Sequence, residues 1–149
     1  MTLKIVLILT IVTIAAYGAF WFIDSLPEPA ETDIISKSGI HWHPELSIYI
    51  KGVKQEISAN IGIGVAHQPI HTHDATGTLH LEFSGLVAKD DVKLKNFFKN
   101  WGKEFNSTCV FDKCNGEDGT VKMYVNGREN KDFENYLMKD KDRIEIRYE

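Results

Sequence analysis

The sequence predicts an α+β fold in which a mixed sheet packs on one helix, preceded by an N-terminal transmembrane helix. Three observations support it: an uncharged apolar run near the start, several segments in which apolar and polar residues alternate, and one segment with apolar residues at helical spacing. The chain has 149 residues, 43% hydrophobic and 26% charged, a balance typical of a folded protein. Its formal net charge of -4 argues against nucleic acid as a partner, because phosphate binding needs a basic surface.

The first predicted element is a membrane anchor over residues 1–23. Its core, Ile5–Ile23, has nineteen residues without charge or proline, and at about 1.5 Å per residue these reach roughly 28 Å, close to the thickness of bilayer hydrocarbon. Lys4 precedes this run and Asp24 follows it. The positive-inside rule therefore predicts a single-pass protein of the cell membrane with an extracytoplasmic domain. Cleavage of a signal peptide near Gly18 is the alternative.

The predicted anchor is followed by a polar segment and then by a single domain. Residues 24–39 contain Pro27 and Pro29, and they are predicted to form a linker. Residues 40–149 contain no repeat and no low-complexity tract, so they are predicted to form one extracytoplasmic domain.

Alternation of apolar and polar residues predicts several strands in this domain. The alternating residues that mark the predicted strands are, in order, Leu46, Ile48 and Ile50; Val53, Gln55 and Ile57; Leu79, Leu81 and Phe83; Val121, Met123 and Val125; and Ile144, Ile146 and Tyr148. Lys51-Gly52 and Asn126-Gly127 are predicted tight turns, and Lys139–Asp142 is a predicted polar turn. The first two strands therefore form a predicted hairpin.

One segment between these strands has apolar residues three and four positions apart, which is the spacing of a helix face. The residues of this face are Leu94, Phe97, Phe98, Trp101 and Phe105. Asp90 or Asp91 is the predicted N-cap, and Gly102 is the predicted end of the regular turns. A hairpin, then a helix and then further strands is the order of a β-grasp, so the predicted domain is β-grasp-like.

Two resemblances extend this prediction. The C-terminal segment VKMYVNGRENKDFENYLMKDKDRIEIRYE is similar to the closing half of β-grasp modules like the C-terminal domain of transcobalamin. Residues 41–149 resemble an uncharacterised family of anchored or secreted, His-containing bacterial and archaeal proteins through HWHPELSIYIKG, ANIGI, PIHTHDATGTLHLE, FFKNWG and YVNG. The resemblance implies the fold and a histidine site but no activity. Members of that family carry a further histidine near the position of Glu45, which leaves the number of ligands open.

All six histidines lie between residues 41 and 80, and four of them form two His-x-His pairs. On extended backbone, residues two positions apart point to the same side, so each pair can present two imidazoles to one ion. His80 and Glu82 share the polar face of their predicted strand. The predicted metal ligands are His41, His43, His71, His73 and His80, with Glu82 and Asp74 as further candidates that could ligate an ion or orient a histidine.

Neutral imidazole suits zinc and copper, so the predicted cofactor is a transition metal ion, copper or zinc. Two alternatives stay open: a hydrogen-bonded histidine network with a structural or pH-sensing role, and unrelated surface histidines. His67 is the weakest candidate, because it lies in a loop outside the family pattern.

Cys109 and Cys114 are the two cysteines of the chain. Outside the cytoplasm, a pair at this spacing is predicted to form a disulfide that closes a short loop. The alternative is a pair of thiolates that joins a metal site. No histidine flanks either cysteine, which favours the disulfide.

Three functions follow from these features. The leading hypothesis is an anchored extracytoplasmic protein that binds copper or zinc through its histidines. The second is a non-catalytic interaction module or accessory subunit with a protein partner in a membrane complex. The third is a small metalloenzyme, for which no catalytic residue is assigned. The sequence has no Ser-His-Asp arrangement, phosphate-binding loop or nucleotide fingerprint, so binding is favoured over catalysis.

Overall fold

The structure is a computed structural model that describes residues 3–25 and 30–149. The chain divides into two compact units, Met1–Ala30 and Glu31–Glu149. The first unit contains helix α1, Leu3–Asp24. The predicted linker lies partly outside the described residues, because residues 26–29, with Pro27 and Pro29, are not among them.

The transmembrane prediction is corrected by the helices themselves. A membrane span needs about 20 consecutive residues of apolar character. Within residues 3–25 and 30–149, no helix combines the length and the apolar character that crossing a bilayer requires. The predicted transmembrane helix is therefore wrong, and so is the predicted single-pass location in the cell membrane.

The second unit consists of short strands and one helix. In chain order its elements are β1 (Ile34–Ser36), β2 (Ile40–Trp42), β3 (Glu45–Ile50), β4 (Val53–Gln55), β5 (Ile70–His71), β6 (His80–Phe83), β7 (Val87–Ala88), α2 (Leu94–Trp101), β8 (Cys109–Val110), β9 (Lys113–Cys114), β10 (Val121–Val125), β11 (Arg128–Glu129) and β12 (Arg143–Tyr148), with short 3-10 turns at Glu31–Asp33 and Phe133–Asn135. Strand β1 lies in the segment predicted as linker, and it pairs antiparallel with β7.

The largest sheet has five strands in the order β11-β10-β12-β3-β4. Strands β12 and β3 are parallel, and the remaining pairs are antiparallel. The two predicted tight turns are confirmed. Lys51 and Gly52 join β3 to β4, Asn126 and Gly127 join β10 to β11, and all four have positive φ, which matches the turn that suits the twist of a two-residue hairpin.

Helix α2 begins at Leu94 and ends before Gly102, which has φ 69° and closes the helix as predicted. The predicted N-cap is wrong. The residue before the helix is Lys93, and no side chain caps it. The Asp91 carboxylate instead accepts a hydrogen bond from the backbone N–H of Ala88, at 2.8 Å, and so serves the preceding turn.

The predicted fold class needs correction as a whole. Among the described residues the fold is mixed α/β, with two α-helices, and the strands divide among four sheets rather than one curled sheet. The physical reason lies in the strand lengths: several strands have only two or three residues, so they pair locally and do not extend one continuous sheet. Apolar residues of α2 and of the five-stranded sheet still share one core, and the buried members include Leu46, Ile48, Leu94, Phe97, Phe98, Met123, Ile144 and Ile146.

The sheet that positions the histidines has three strands in the order β2-β6-β5, and both pairs are antiparallel. Its inward residues Ile70 and Leu81 face each other across β5 and β6 and belong to the core. Gly39, just before β2, has φ 91°, and a Cβ at this position would collide with the backbone carbonyl of Phe83. The close pairing of β2 with β6 therefore requires a glycine there.

Candidate metal centre

The register of the three-stranded sheet places four polar side chains on one face. His41 on β2 is opposite Glu82 on β6, and His71 on β5 is opposite His80 on β6. His80 and Glu82 are two positions apart on one strand, so they point to the same side. Directly opposed residues of antiparallel strands have Cβ atoms about 4.5–5.5 Å apart, so the register alone brings these side chains into contact.

His43 and His73 extend this face beyond the ends of β2 and β5. Each lies two residues after a strand histidine, and the ring centroids are 4.7 Å apart for His41 and His43 and 4.8 Å apart for His71 and His73. The His80 ring lies between the two pairs, with its centroid 4.8 Å from that of His43 and 4.5 Å from that of His73. The five histidines predicted as ligands therefore converge.

Two sets of side chains have the proximity that an ion requires. We call His71, His73, His80 and Glu82 the first ligand group, and His41, His43 and His80 the second ligand group. Within each group, each residue offers one ligand atom, and these atoms all lie within 4.8 Å of one another. The protein thus has a histidine and glutamate cluster that could hold a metal ion.

The shortest spacing in the first ligand group matches a tetrahedral ion. The Nε2 atoms of His71 and His73 are 3.3 Å apart. Two nitrogens that each lie about 2.0–2.1 Å from a tetrahedral ion are about 3.3–3.4 Å apart. The Glu82 Oε1 atom is farther away, 3.6 Å from His80 Nδ1 and 4.0 Å from His71 Nε2. A bound ion would therefore draw the carboxylate inward by a few tenths of an ångström.

A backbone carbonyl sets the orientation of His71. The ring is buried, and its Nδ1 lies 3.0 Å from the carbonyl oxygen of Gln68. A carbonyl oxygen only accepts hydrogen bonds, so Nδ1 carries the proton and donates. In the neutral ring, Nε2 then presents its lone pair toward His73, which is the arrangement that metal-binding histidines commonly have.

Burial and neighbouring rings favour the neutral, ligating form of two histidines. Desolvation lowers the pKa of His71, even though the hydrogen bond to Gln68 and the charge of Glu82 act in the opposite direction. Desolvation and then the neighbouring His73 lower the pKa of His80. Metal ions bind unprotonated imidazole, so both shifts favour ion binding near neutral pH.

The Nδ1 atom of His80 shows whether the residues of the cluster suit a metal ion. Its Nδ1 atom is buried, and within the described residues it has no hydrogen-bond partner. A buried polar atom without a partner costs about 1–3 kcal/mol. The same nitrogen is close to Glu82 in the first ligand group. A metal ion at this point would satisfy the nitrogen, so the residues present fit a metal.

Residues outside the cluster hold the His71–His73 segment in place. The Thr72 hydroxyl is buried, donates to the carbonyl of Ser58 at 2.9 Å and accepts from the N–H of Ile61 at 3.1 Å. The side-chain amide of Asn100 on α2 donates to the carbonyl of Ile70 at 2.8 Å. No motif predicted these two supporting residues, because their partners are backbone atoms of segments distant in sequence.

His43 is held by a residue that is distant in sequence. Its backbone N–H donates to the Asp140 carboxylate at 2.9 Å, across 97 positions of sequence. Asp140 lies in the predicted polar turn Lys139–Asp142, whose Asp142 carboxylate accepts from the hydroxyl of Tyr136 at 2.7 Å. The turn therefore positions one of the second group's histidines, a role that its sequence does not indicate.

Two candidates stand apart from the ligand groups. Asp74 belongs to neither group. Its carboxylate accepts hydrogen bonds from the backbone and the hydroxyl of Thr76, which lower the pKa of Asp74. His67 also belongs to neither group, although its ring centroid lies 5.1 Å from that of His71.

The cluster is open to solvent on the side of Glu82. The Glu82 side chain is 43% exposed. Two cavities border it, one beside His41 and the other beside His67 and His71. An ion held by the first ligand group would be reachable from outside, which permits exchange of the ion or coordination of water.

The predicted disulfide between Cys109 and Cys114 is confirmed. The bond joins strands β8 and β9, in which the two cysteines are directly opposed. Neither sulfur is available as a metal ligand, so the alternative of a thiolate pair is excluded.

Comparisons of the chain with models of protein families, with curated proteins and with solved structures gave no match. The resemblances to transcobalamin-like modules and to His-containing prokaryotic proteins stay predictions. The two ligand groups are therefore the feature of the molecule that indicates a function.

Proposed function

We propose that this protein binds a divalent transition metal ion through His71, His73, His80 and Glu82. The observation that carries the proposal is the convergence of these four ligand atoms to within 4.8 Å, with the two closest nitrogens at tetrahedral spacing. Two of the ligands come from one strand and two from a neighbouring strand and its continuation. Their separation is therefore fixed by the backbone hydrogen bonds of the sheet and not by side-chain flexibility.

A metal site accounts for the cluster better than a histidine network that is complete by itself. A complete network would pair each buried nitrogen, and His80 Nδ1 is unpaired among the described residues. Burial lowers the pKa values of His71 and His80, so both rings are neutral near pH 7 and each keeps one nitrogen with a free lone pair. The His71 and His73 Nε2 atoms are close enough for a hydrogen bond or for a shared cation, and of the two only the cation would also satisfy His80 Nδ1.

Zinc fits the first ligand group best, and copper is the second candidate. Three imidazole nitrogens and one carboxylate oxygen are a common tetrahedral ligand set for zinc. In a square-planar copper site, adjacent nitrogens at about 2.0 Å from the ion would be about 2.8–2.9 Å apart. The spacing of 3.3 Å between the His71 and His73 nitrogens is closer to the tetrahedral value.

The proposed role is reversible binding of the ion, as in a carrier or a buffer. Glu82 and His73 are exposed, so ligand exchange can begin from the solvent side without unfolding of the sheet. The disulfide is typical of proteins that fold in an oxidising compartment, where a site built from imidazole and carboxylate does not depend on reduced thiols.

The test is metal binding by the full-length chain, purified without a histidine tag. After incubation with Zn²⁺ or Cu²⁺ and removal of excess metal, elemental analysis and calorimetric titration give the amount bound and the affinity. We expect the double variant H71Q/H73Q to lose the tightest-bound equivalent. The matched control H67Q removes a neighbouring exposed histidine, so it should bind like the unmodified chain. Absence of zinc and copper from the unmodified chain would overturn the proposal.

A further inference from the structure

We infer that the cluster holds two metal ions, with the His80 ring shared between them. The first ligand group would hold one ion, as proposed above, and the second ligand group, His41, His43 and His80, would hold the other. This inference rests on the proposed function and extends it from one ion to a dinuclear centre.

The strand order supports two positions rather than one. Strand β6, which carries His80, lies between β2 and β5. Neighbouring strands are about 4.7–4.9 Å apart, so the backbones of β2 and β5 are separated by about 9–10 Å. The central strand therefore has one pair of histidines on each side: His41 and His43 from β2 and its continuation, and His71 and His73 from β5 and its continuation. Each pair forms a separate ligand group with His80 of the central strand.

The number of ligands leads to the same conclusion. Five histidines and one glutamate converge, which exceeds the four ligands of a tetrahedral zinc site. The rings divide into one pair on each side of His80. Its centroid lies 4.8 Å from that of His43 on one side, and 4.5 Å and 5.5 Å from those of His73 and His71 on the other. His80 is the one residue common to both ligand groups.

The chemistry of imidazole allows such sharing. The ring has two nitrogens directed away from each other, and each can bind an ion once the ring has lost its N–H proton to solvent. Nδ1 of His80 lies 3.6 Å from Glu82 Oε1 and is assigned to the first ion. Nε2 is then assigned to the second ion. Glu82 lies between the two positions, because its Oε1 is also 3.2 Å from His41 Nε2, and its negative charge partly compensates two cations.

The test is the number of ions that one full-length chain binds. Zn²⁺ titration followed by native mass spectrometry should give two ions for the unmodified chain and two for the control H67Q. The double variant H41Q/H43Q should keep one. The variant H80Q, which removes the shared ligand, should weaken both binding steps, each on the order of 100-fold. His41 is exposed and His43 half-buried, so H41Q/H43Q leaves the core intact.

Copper then distinguishes a shared ring from two independent sites. In the chain loaded with two Cu²⁺ ions, a shared imidazole should couple the spins and reduce the paramagnetic resonance signal below that of two isolated ions. H41Q/H43Q, with one Cu²⁺, should give the full signal of an isolated ion. Saturation of the unmodified chain at one ion, or two uncoupled ions that persist in H80Q, would overturn the inference. Binding of no ion would instead contradict the proposed function.

Discussion

At the scale of single residues, the cluster depends on side chains that do not ligate. Thr72 lies between two ligands of the first group, with its hydroxyl directed away from them and into the loop at Ser58 and Ile61. Alternation along extended backbone explains this, because the residue between His71 and His73 points to the opposite side. The hydrogen bonds of Thr72 therefore help to hold the rings of His71 and His73 toward the candidate site.

We predict that T72V destabilises the protein by about 1–3 kcal/mol, although valine has nearly the same shape. The change removes the hydroxyl that bonds Ser58 and leaves the N–H of buried Ile61 without its partner, and this is the cost of an unsatisfied polar group. Urea denaturation of the metal-free protein measures the difference. The control T120V makes the same replacement at an exposed site and should change the free energy of unfolding little. Equal effects of the two variants would contradict the prediction.

At the scale of elements, the ligands depend on contact between the three-stranded sheet and helix α2. Asn100 is the polar link, since its amide donates to the carbonyl of Ile70, the residue before His71. Without this bond the carbonyl would lose a partner, and strand β5, which has only two residues, would have fewer restraints. The helix therefore supports the candidate metal site without contributing a ligand.

We predict that N100A weakens zinc binding by about 10-fold without removing a ligand, because groups that orient ligands affect affinity by about 10–100-fold. Competition with a chromophoric chelator measures the change. The control N96A lies on the same helix, where its side chain donates to the carbonyls of Asp90 and Asp91. It should affect stability but leave zinc affinity unchanged. Equal losses of affinity in both variants would contradict a specific role for Asn100.

The elements also show which features of the fold were predictable from sequence. Both hairpin turns were predictable, because Lys51-Gly52 and Asn126-Gly127 are local signals that depend on positive φ within two residues. The N-cap of α2 and the division into four sheets were not predictable from the sequence. The division into sheets depends on pairings such as β1 with β7, which join residues more than 50 positions apart and have no periodic pattern. Short strands carry too few residues to indicate a partner.

The candidate site was predictable to a similar degree. The two His-x-His pairs indicated shared faces, because alternation is a local property of extended backbone. Register decides how the pairs meet, and the pairing of His71 with His80 is a long-range fact that spacing does not determine. Asp74 shows the converse: it is adjacent to His73 in sequence, yet its carboxylate forms a turn with Thr76.

At the scale of the whole molecule, burying the histidines couples folding to pH. Desolvation lowers the pKa values of His71 and His80 below the ordinary 6.5, so at mildly acidic pH the unfolded chain binds protons that the folded chain does not. Stability therefore falls as the pH decreases through 6.5 toward the folded pKa values, and it is fully present above 6.5. Carboxylates such as Asp90 and Glu149, whose pKa values are lowered by lysine partners, act in a separate window that begins near their ordinary values of 3.8 and 4.5.

We predict that the metal-free protein, kept in chelator, is less stable at pH 5 than at pH 7.5, and that H80Q reduces this difference. The glutamine has no proton to gain in this range, so one of the two groups that couple folding to pH is removed. Urea denaturation at each pH gives the two free energies. H67Q serves as the control that should keep most of the difference, because His67 is the smallest of the causes that shift the pKa of His71. Saturating zinc should make the dependence on pH steeper, because protons compete with the ion for the same nitrogens. A free energy of unfolding that stays constant from pH 7.5 to 5 would show that His71 and His80 accept protons without opening the fold, and the buried, neutral cluster described here would then be incorrect.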